Sequence, residues 1–256
     1  MATRADGGAA IGARPFVHGL EALKWLAVAA MTLDHAGRLV LGLDSPAGLV
    51  AIALGNVGFP LFAWVLAARL AEKPARWRRY LARLVPAALL AQPCYAVALG
   101  GLAPDALLDP LGFLQAVYLD SRYGIFVTLG LGVAISALLH GAGSERTPRV
   151  AMPAVALPAV ALSALVLGAV ATLGPQATYG LAGVMLVPVL SLCLAWRHAA
   201  ALAALPLLAL AANYPWIHLA LPAALLLVPL VFMSGYLHGR WPRAPGWFFY
   251  AYYPGH

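Results

Sequence analysis

Charged residues are scarce in this chain, making up 10% of its 256 residues against 63% that are hydrophobic. Soluble domains carry about 25% charged residues, so the composition excludes an ordinary soluble enzyme. Cysteine is almost absent as well, and both Cys94 and Cys193 lie within apolar runs. We therefore expect neither a structural disulfide nor a cysteine-based metal site.

Several common signatures of catalysis and binding are also missing. The sequence contains no HExxH, GxSxG, P-loop or GxGxxG motif, so metal-dependent hydrolysis and nucleotide binding of those kinds are not supported. The first 19 residues hold no apolar stretch, and we expect no cleavable signal peptide there. A pI of 9.7 does not indicate nucleic-acid binding, because the basic residues lie in short loops between apolar segments.

What the sequence does contain is a series of apolar runs of about 20 residues, long enough to cross a bilayer as helices. They predict an all-α, polytopic membrane bundle of about eight transmembrane helices, at residues 20–43, 46–70, 80–103, 123–140, 150–173, 178–196, 199–213 and 215–237. The seventh run is short and contains Pro206, so it is a candidate broken helix. Residues 1–19 are then expected to form a flexible cytoplasmic N-terminus and residues 238–256 a cytoplasmic or interfacial C-terminal segment, on either side of a transmembrane domain at 20–237.

The distribution of basic residues predicts the orientation of these helices. With the N-terminus in the cytoplasm, all but two of the 16 Lys and Arg residues fall on the cytoplasmic side. The exceptions are Arg38 and Arg122. This asymmetry follows the positive-inside rule with both termini in the cytoplasm, and in a bacterium it predicts a multi-pass protein of the inner membrane.

A group of ionisable residues lies inside the first predicted span. Asp34, His35 and Arg38 occur in LKWLAVAAMTLDHAGRLVLGL and share one face of a helix. Charged groups at bilayer depth are costly, so by default they mark a functional site. Asp34 can orient His35 as a general base, or it can pair with Arg38 and merely close the helix end. The sequence leaves both interpretations open.

The segment AEKPARWRRY concentrates Lys73, Arg76, Arg78 and Arg79 beside two aromatic residues. One interpretation is anchoring to anionic lipid headgroups. The other is docking of a phosphate-bearing ligand such as coenzyme A, because arginine binds phosphate through two hydrogen bonds. Such a ligand would arrive from the cytoplasmic side.

Six segments, in order, resemble the TraX family of small polytopic inner-membrane proteins from conjugative transfer systems. They are LKWLAVAAMTLDHAGRL, GNVGFPLFAWVLAARL, RRYLARL, SRYGIFVTLGLG, TYGLAGVMLV and FFYAYYPGH. The resemblance implies N-acetylation of a pilin subunit in the membrane, with acetyl-CoA as donor and no metal. It implies the pilin, the lipid bilayer and other conjugation-apparatus membrane proteins as partners, and no nucleic acid.

The resemblance also implies roles for individual residues. His35 and Asp34 match the DH block and are expected to be catalytic. Tyr80 and Arg83 match a Y-x-x-R-L block and, with Arg76 and Arg79, are expected to bind the donor. The residues expected to bind the acceptor substrate are Arg38, Asn56, Phe59, Pro60, Tyr123, Tyr179, Tyr250 and Tyr253.

The chain departs from the family pattern at two places. SRYGIFVTLG replaces a block that often has Asn and Thr near its start, and the sequence stops at His256 where relatives often continue. Two other functions stay open: a non-catalytic assembly factor that holds the pilin, and a small transporter with Asp34 and His35 as a proton relay. No internal repeat typical of transporters is evident.

Overall fold

The computed structural model describes residues 19–98, 109–142, 177–196, 198–213, 217–234, 241–243, 245, 247–249 and 252. Within these residues the regular elements are helical, which confirms the predicted helical bundle. The helices are α1 (Leu20–Ala36), α2 (Pro46–Gly55), α3 (Gly58–Glu72), α4 (Trp77–Ala98), α5 (Pro110–Gln115), α6 (Ile125–Ala142), α7 (Gly180–Trp196), α8 (His198–Ala212) and α9 (Ile217–Ser234). The predicted span 150–173 and residues 1–18 lie outside the described residues.

Short turns of other helix types join some of these elements. A π-helical turn at Gly37–Leu41 extends α1, and a second one at Ala116–Asp120 follows α5. A 3₁₀ turn at Pro74–Arg76 leads into α4, so much of the predicted basic loop is helical. Pro206 lies inside a continuous α8, and the prediction of a broken helix there is wrong because neighbouring residues in a bundle compensate for one lost hydrogen bond.

The second predicted span, 46–70, consists of two helices that meet at Asn56 and Val57. Pro60 has no N–H to donate to the carbonyl of Asn56, four residues earlier, so the regular hydrogen-bond ladder is interrupted there. The backbone forms a tighter i to i−3 turn there, in which the N–H of Val57 donates to the carbonyl of Leu54 at 3.4 Å. The kink places Asn56 at the C-terminal cap of α2 and starts α3 in the bundle interior.

Pro46–Glu72, which spans both helices, is long and apolar enough to cross a membrane, and it is the one such stretch among the described residues. Shorter apolar helical stretches occur at Ile125–His140, Gly180–Ala195, Ala199–Ala212 and Ile217–Met233. Large apolar side chains are also exposed around the bundle, including Val40 at 79% and Leu90 at 72%.

Helix α3 is the centre of the bundle. It packs against α1 and α7, while α7 also contacts α6 and α8, and α6 contacts α4. Most side chains of α3 are buried, among them Phe59, Leu61 and Trp64, each at most 1% exposed. Burying a large apolar side chain contributes about 1.5–3 kcal/mol, so α3 holds the surrounding helices in place.

Glycines allow α1 to approach α2 and α3 closely. A Cβ atom on Gly55 would lie 2.5 Å from the Asp34 Cβ and 2.6 Å from its Cα. A Cβ on Gly58 would lie 2.8 Å from the Met31 Cγ, and one on Gly37 would lie 2.8 Å from the Gly48 carbonyl oxygen. These contacts leave no room for a side chain at the three positions.

We therefore predict that Gly55→Ala destabilises the protein by about 1–3 kcal/mol, because the added methyl group must displace the α1 backbone at Asp34. Thermal unfolding of detergent-purified protein measures this. Gly130→Ala on α6 is the matched control, since a Cβ there would meet no neighbouring atom of the described residues within 4 Å, and its helix propensity improves by about 1 kcal/mol. Equal melting temperatures for the two variants would contradict the close-packing argument.

Candidate active site

The end of α1 carries an ion pair between two of the predicted site residues. The Nε of Arg38 donates to both carboxylate oxygens of Asp34, at 3.0 and 2.9 Å. The Asp34 side chain is 16% exposed and that of Arg38 is 36% exposed. Of the two interpretations of Asp34, the structure displays the pairing with Arg38. His35 is half-buried beside them.

Aromatic residues from two other helices lie near this pair. The rings of Phe59 on α3 and Tyr179 at the start of α7 stack with centroids 3.9 Å apart and an interplanar angle of 4°. Arg38 is within electrostatic range of Tyr179 and of Tyr95 on α4. Residues predicted from three separate segments, Arg38, Phe59 and Tyr179, thus gather at one end of the bundle.

Tyr123 joins the same end through a short stretch of backbone pairing. It forms an isolated parallel bridge with Ala177, and its carbonyl accepts hydrogen bonds from the Thr178 N–H at 2.8 Å and the Thr178 hydroxyl at 2.6 Å. The Thr178 hydroxyl also lies 3.1 Å from the Tyr95 hydroxyl. These contacts hold the start of α7 against the start of α6.

Gln92, which is buried, connects α4 to the chain before α6. Its side-chain amide donates to the carbonyls of Val117 and Arg122 and to the Ser121 hydroxyl, at 2.9–3.2 Å. Its carbonyl oxygen accepts from the Gly124 N–H at 3.1 Å. One side chain therefore satisfies several backbone groups of the segment that precedes α6.

Replacing Gln92 with Met keeps the length of the side chain and removes these hydrogen bonds. Buried polar groups left unpaired cost about 1–3 kcal/mol each, so we expect Gln92→Met to lower the melting temperature measurably. Cys94→Ser, an exposed position on the same helix, should leave the melting temperature unchanged. A Gln92→Met protein as stable as the wild type would show that the network is not needed for folding.

A cavity of about 220 Å³ is lined in part by α1. Its walls are mainly apolar and come from α1, α3, α4, α6 and the C-terminal segment. Cationic and phenolic side chains lie among them: Lys24, Arg69, Tyr80 and Arg83. The apolar lining residues are Met31, Phe62, Val65, Leu66, Leu84, Ile125, Phe126, Leu129 and Phe249, and Tyr252 completes the lining.

Acidic residues hold two of the cations. Glu21 accepts a hydrogen bond from Lys24 at 2.7 Å and forms an ion pair with Arg69 at 3.8 Å. Arg69 also pairs with Glu72 at 3.4 Å. The second carboxylate oxygen of Glu21 is buried and has no hydrogen-bond partner among the described residues. Arg83 also lines the cavity, so three cations and two carboxylates, Glu21 and Glu72, leave this region with a net positive charge of one.

The C-terminal segment packs along α1 and forms one wall of the cavity. Phe248 contacts Trp25 with ring centroids 5.2 Å apart, and Lys24 lies 5.5 Å from the centre of the Phe249 ring. The Tyr252 hydroxyl bonds to the Thr32 hydroxyl and donates to the Val28 carbonyl at 3.3 Å. The Trp25 indole N–H donates to the Pro242 carbonyl at 3.0 Å.

Helix α1 connects the cavity to the ionisable group. Lys24, Met31 and His35 are seven and four residues apart, so they lie on one stripe of the helix. Lys24 and Met31 line the cavity. His35 lies one turn beyond Met31, about 16 Å along the helix from Lys24 at ~1.5 Å per residue.

The structure places the remaining predicted residues in different ways. Tyr80 and Arg83 line the cavity, whereas Arg76 lies in the 3₁₀ turn and Arg79 is exposed on α4. Asn56 is half-buried at the α2–α3 kink, and Pro60 is buried in α3. Tyr250 and Tyr253 lie outside the described residues.

Sequence reasoning missed four cavity residues: Lys24, Arg69, Phe249 and Tyr252. All four lie inside the family-like segments quoted above, but those segments do not show which of their residues meet in space. The stripe shared by Lys24, Met31 and His35 is a local signal that links the basic end of α1 to the ionisable group.

The fold and the site define a helical-bundle protein with apolar exposed surfaces, a basic cavity and an Asp–Arg pair at the far end of its first helix. A family model described as TraX protein matches residues 19–256, and the chain belongs to the TraX family. Membership links it to functions related to the conjugative pilus. No curated protein and no solved structure is significantly similar to the chain.

Proposed function

We propose that this protein is a membrane-embedded N-acetyltransferase that modifies a pilin subunit, with acetyl-CoA as the acyl donor. The observation that carries the proposal is the cavity, because cationic side chains and an apolar lining meet in it. Two of its lining residues, Lys24 and Met31, lie on the stripe of α1 that continues to His35. Acetyl-CoA has the complementary chemistry, because its nucleotide carries phosphates and the chain that bears its acyl group is narrow and uncharged.

The size of the cavity indicates which part of the donor enters. Pockets that enclose a whole small-molecule ligand have volumes of about 300–1,000 Å³, and this one measures about 220 Å³. We expect the uncharged chain of acetyl-CoA and its acyl group to enter the cavity, with the nucleotide outside it. Arg83, Lys24 and Arg69 at the basic end, with Arg79 and Arg76 on the adjoining surface, would hold the phosphates there.

At the inner end the chemistry is acyl transfer to an amine. The amine nitrogen attacks the thioester carbonyl carbon, the carbon–nitrogen bond forms, and the carbon–sulfur bond breaks. His35 accepts the proton from the amine and returns it to the departing thiolate, which leaves as a thiol. The sum of these steps is an N-acetyl amide and free coenzyme A.

Asp34 and Arg38 serve this step as a pair in our proposal. Arg38 donates to both oxygens of the Asp34 carboxylate, which fixes the carboxylate dipole beside His35, while the pair itself carries no net charge. Asn56, Phe59, Pro60, Tyr123 and Tyr179 surround the same end of the bundle and would contact the acceptor. Tyr250 and Tyr253 belong to the same proposed set.

The direct test is the intact mass of the cognate pilin from cells with and without this protein. The wild type should add the mass of one acetyl group, and His35→Ala should reduce acetylation by about 10²–10⁴-fold, the usual contribution of a general base. His218→Ala changes an exposed histidine on α9 and should acetylate normally. If well-folded His35→Ala and Asp34→Asn both acetylated pilin like the wild type, the catalytic assignment would be wrong.

Donor binding has a separate test on α4. Arg83→Ala should raise the KM for acetyl-CoA about 10–150-fold, the effect of losing one charge-assisted hydrogen bond of about 1.5–3 kcal/mol, with little change in kcat. Arg78→Ala is the matched control, because Arg78 is exposed and its guanidinium lies over the Trp77 ring, 5.3 Å from the centroid. An equal rise in KM for both variants would indicate general surface charge rather than a site in the cavity.

We propose the inner membrane as the location, crossed about eight times with both termini in the cytoplasm. The exposed apolar side chains of α2, α4 and α9 support lipid contact. Basic residues of α1, α3 and α4 gather at the end of the cavity that the proposal places in the cytoplasm. A C-terminal reporter enzyme that functions only outside the cytoplasm should stay inactive, and its activity would overturn this orientation.

A further inference from the structure

We propose that Tyr252 sets the length of the acyl group that this protein transfers, and that it does so as a wall of the cavity. The inference rests on the proposed acetyltransferase function and extends it to a substrate class, short-chain acyl thioesters. Tyr252 lies next to none of the residues in the DH block along the chain, and only the structure brings it to the cavity.

The position of Tyr252 along α1 places it away from the basic end. Its hydroxyl bonds to the Val28 carbonyl and the Thr32 hydroxyl, which are about 6 and 12 Å along the helix from Lys24 at ~1.5 Å per residue. A donor whose phosphates contact Lys24 and Arg83 would therefore extend its acyl end towards the level of Tyr252 and Met31.

The surroundings of Tyr252 fix the ring in place. Its hydroxyl is held at two points on α1, and its ring stacks near Phe248 with centroids 6.0 Å apart. Phe248 in turn packs on Trp25 at 5.2 Å. These contacts restrict the movement of the Tyr252 ring, whereas a side chain without such contacts would move aside for a longer ligand.

Other walls of the cavity are apolar and well buried. Ile125 and Phe126, at the start of α6, line the cavity and are 3% and 7% exposed. Met31, on the α1 wall, is 7% exposed and lies against Gly58, where a Cβ would approach its Cγ to 2.8 Å. Because packing holds these walls in place, we expect a longer acyl chain to fit less well unless a wall residue is made smaller.

The chemistry of the transfer does not depend on the length of the acyl chain. For acetyl, propionyl or butyryl thioesters the carbon–sulfur bond breaks, the carbon–nitrogen bond forms, the amine proton passes to His35, and coenzyme A leaves as the thiol. Chain length therefore alters the fit in the cavity, which is measured by kcat/KM for each donor. One methylene group in an apolar pocket changes kcat/KM by about 10–200-fold.

The experiment compares acetyl-, propionyl- and butyryl-CoA as donors to pilin with purified wild-type protein and Tyr252→Ala. We expect the wild type to prefer acetyl-CoA, and Tyr252→Ala to lower the acetyl-to-butyryl ratio of kcat/KM by about tenfold or more. Trp247→Ala changes a residue of the same segment that is 66% exposed and does not line the cavity, and it should keep the wild-type ratio. Tyr252→Phe, which keeps the ring, should also keep that ratio.

Ile125→Ala provides a second route to the same result, because it enlarges the cavity from α6 and leaves the C-terminal segment intact. It also keeps the test decisive if Tyr252→Ala does not fold. Active variants of both residues with the wild-type acetyl-to-butyryl ratio would overturn the inference while leaving the acetyltransferase proposal standing. A wild-type protein that transfers no acyl group from any donor would overturn both.

Discussion

The close contact between α1 and the kinked pair α2–α3 is the constraint on which the rest of the structure depends. It is made through Gly37, Gly55 and Gly58, where no side chain fits. In a lipid environment, helices gain little from burying apolar surface against each other, so close backbone approach and dispersion forces replace the hydrophobic effect. Asp34, which lies against Gly55, and Met31, which lies against Gly58, both take their positions from this contact.

The two ends of α1 have different surroundings. The backbone of Asp34 lies against Gly55, and its carboxylate is held by Arg38 near the stacked rings of Phe59 and Tyr179. Lys24 and Met31, on the stripe that continues to His35, face the cavity. An ion pair with 16% and 36% exposed side chains costs less to bury than isolated charges would, which makes it compatible with the end of a membrane helix.

Much of the helical layout could be predicted from the sequence, because apolar runs of membrane length are strong local signals. The kink at Asn56 was also within reach, since Pro60 removes a specific hydrogen bond. Pro206 shows the limit of the same argument, because whether a proline breaks a helix depends on neighbouring residues that the sequence does not reveal. Tyr123 lies near Tyr179 because its backbone pairs with that of Ala177. The hydrophobic periodicity of the sequence does not predict this pairing.

The sequence predicted the parts of the candidate site that are close together along the chain better than the parts that meet through tertiary packing. Asp34 and Arg38 are four residues apart on one helix, and local geometry limits their possible partners. The pairing of Asp34 with Arg38 needed coordinates to establish. The cavity is different, since Lys24, Arg69 and Phe249 meet only through tertiary packing.

The hydrogen bond from Tyr252 to Val28 joins residues 224 positions apart, which has a consequence for how the chain assembles. At about 5–20 residues per second of synthesis, α1 exists for roughly 10–45 s before Tyr252 is made. During that interval the cavity lacks the wall that the C-terminal segment provides, and that side is open to its surroundings. Closure of the last wall is then a late folding step.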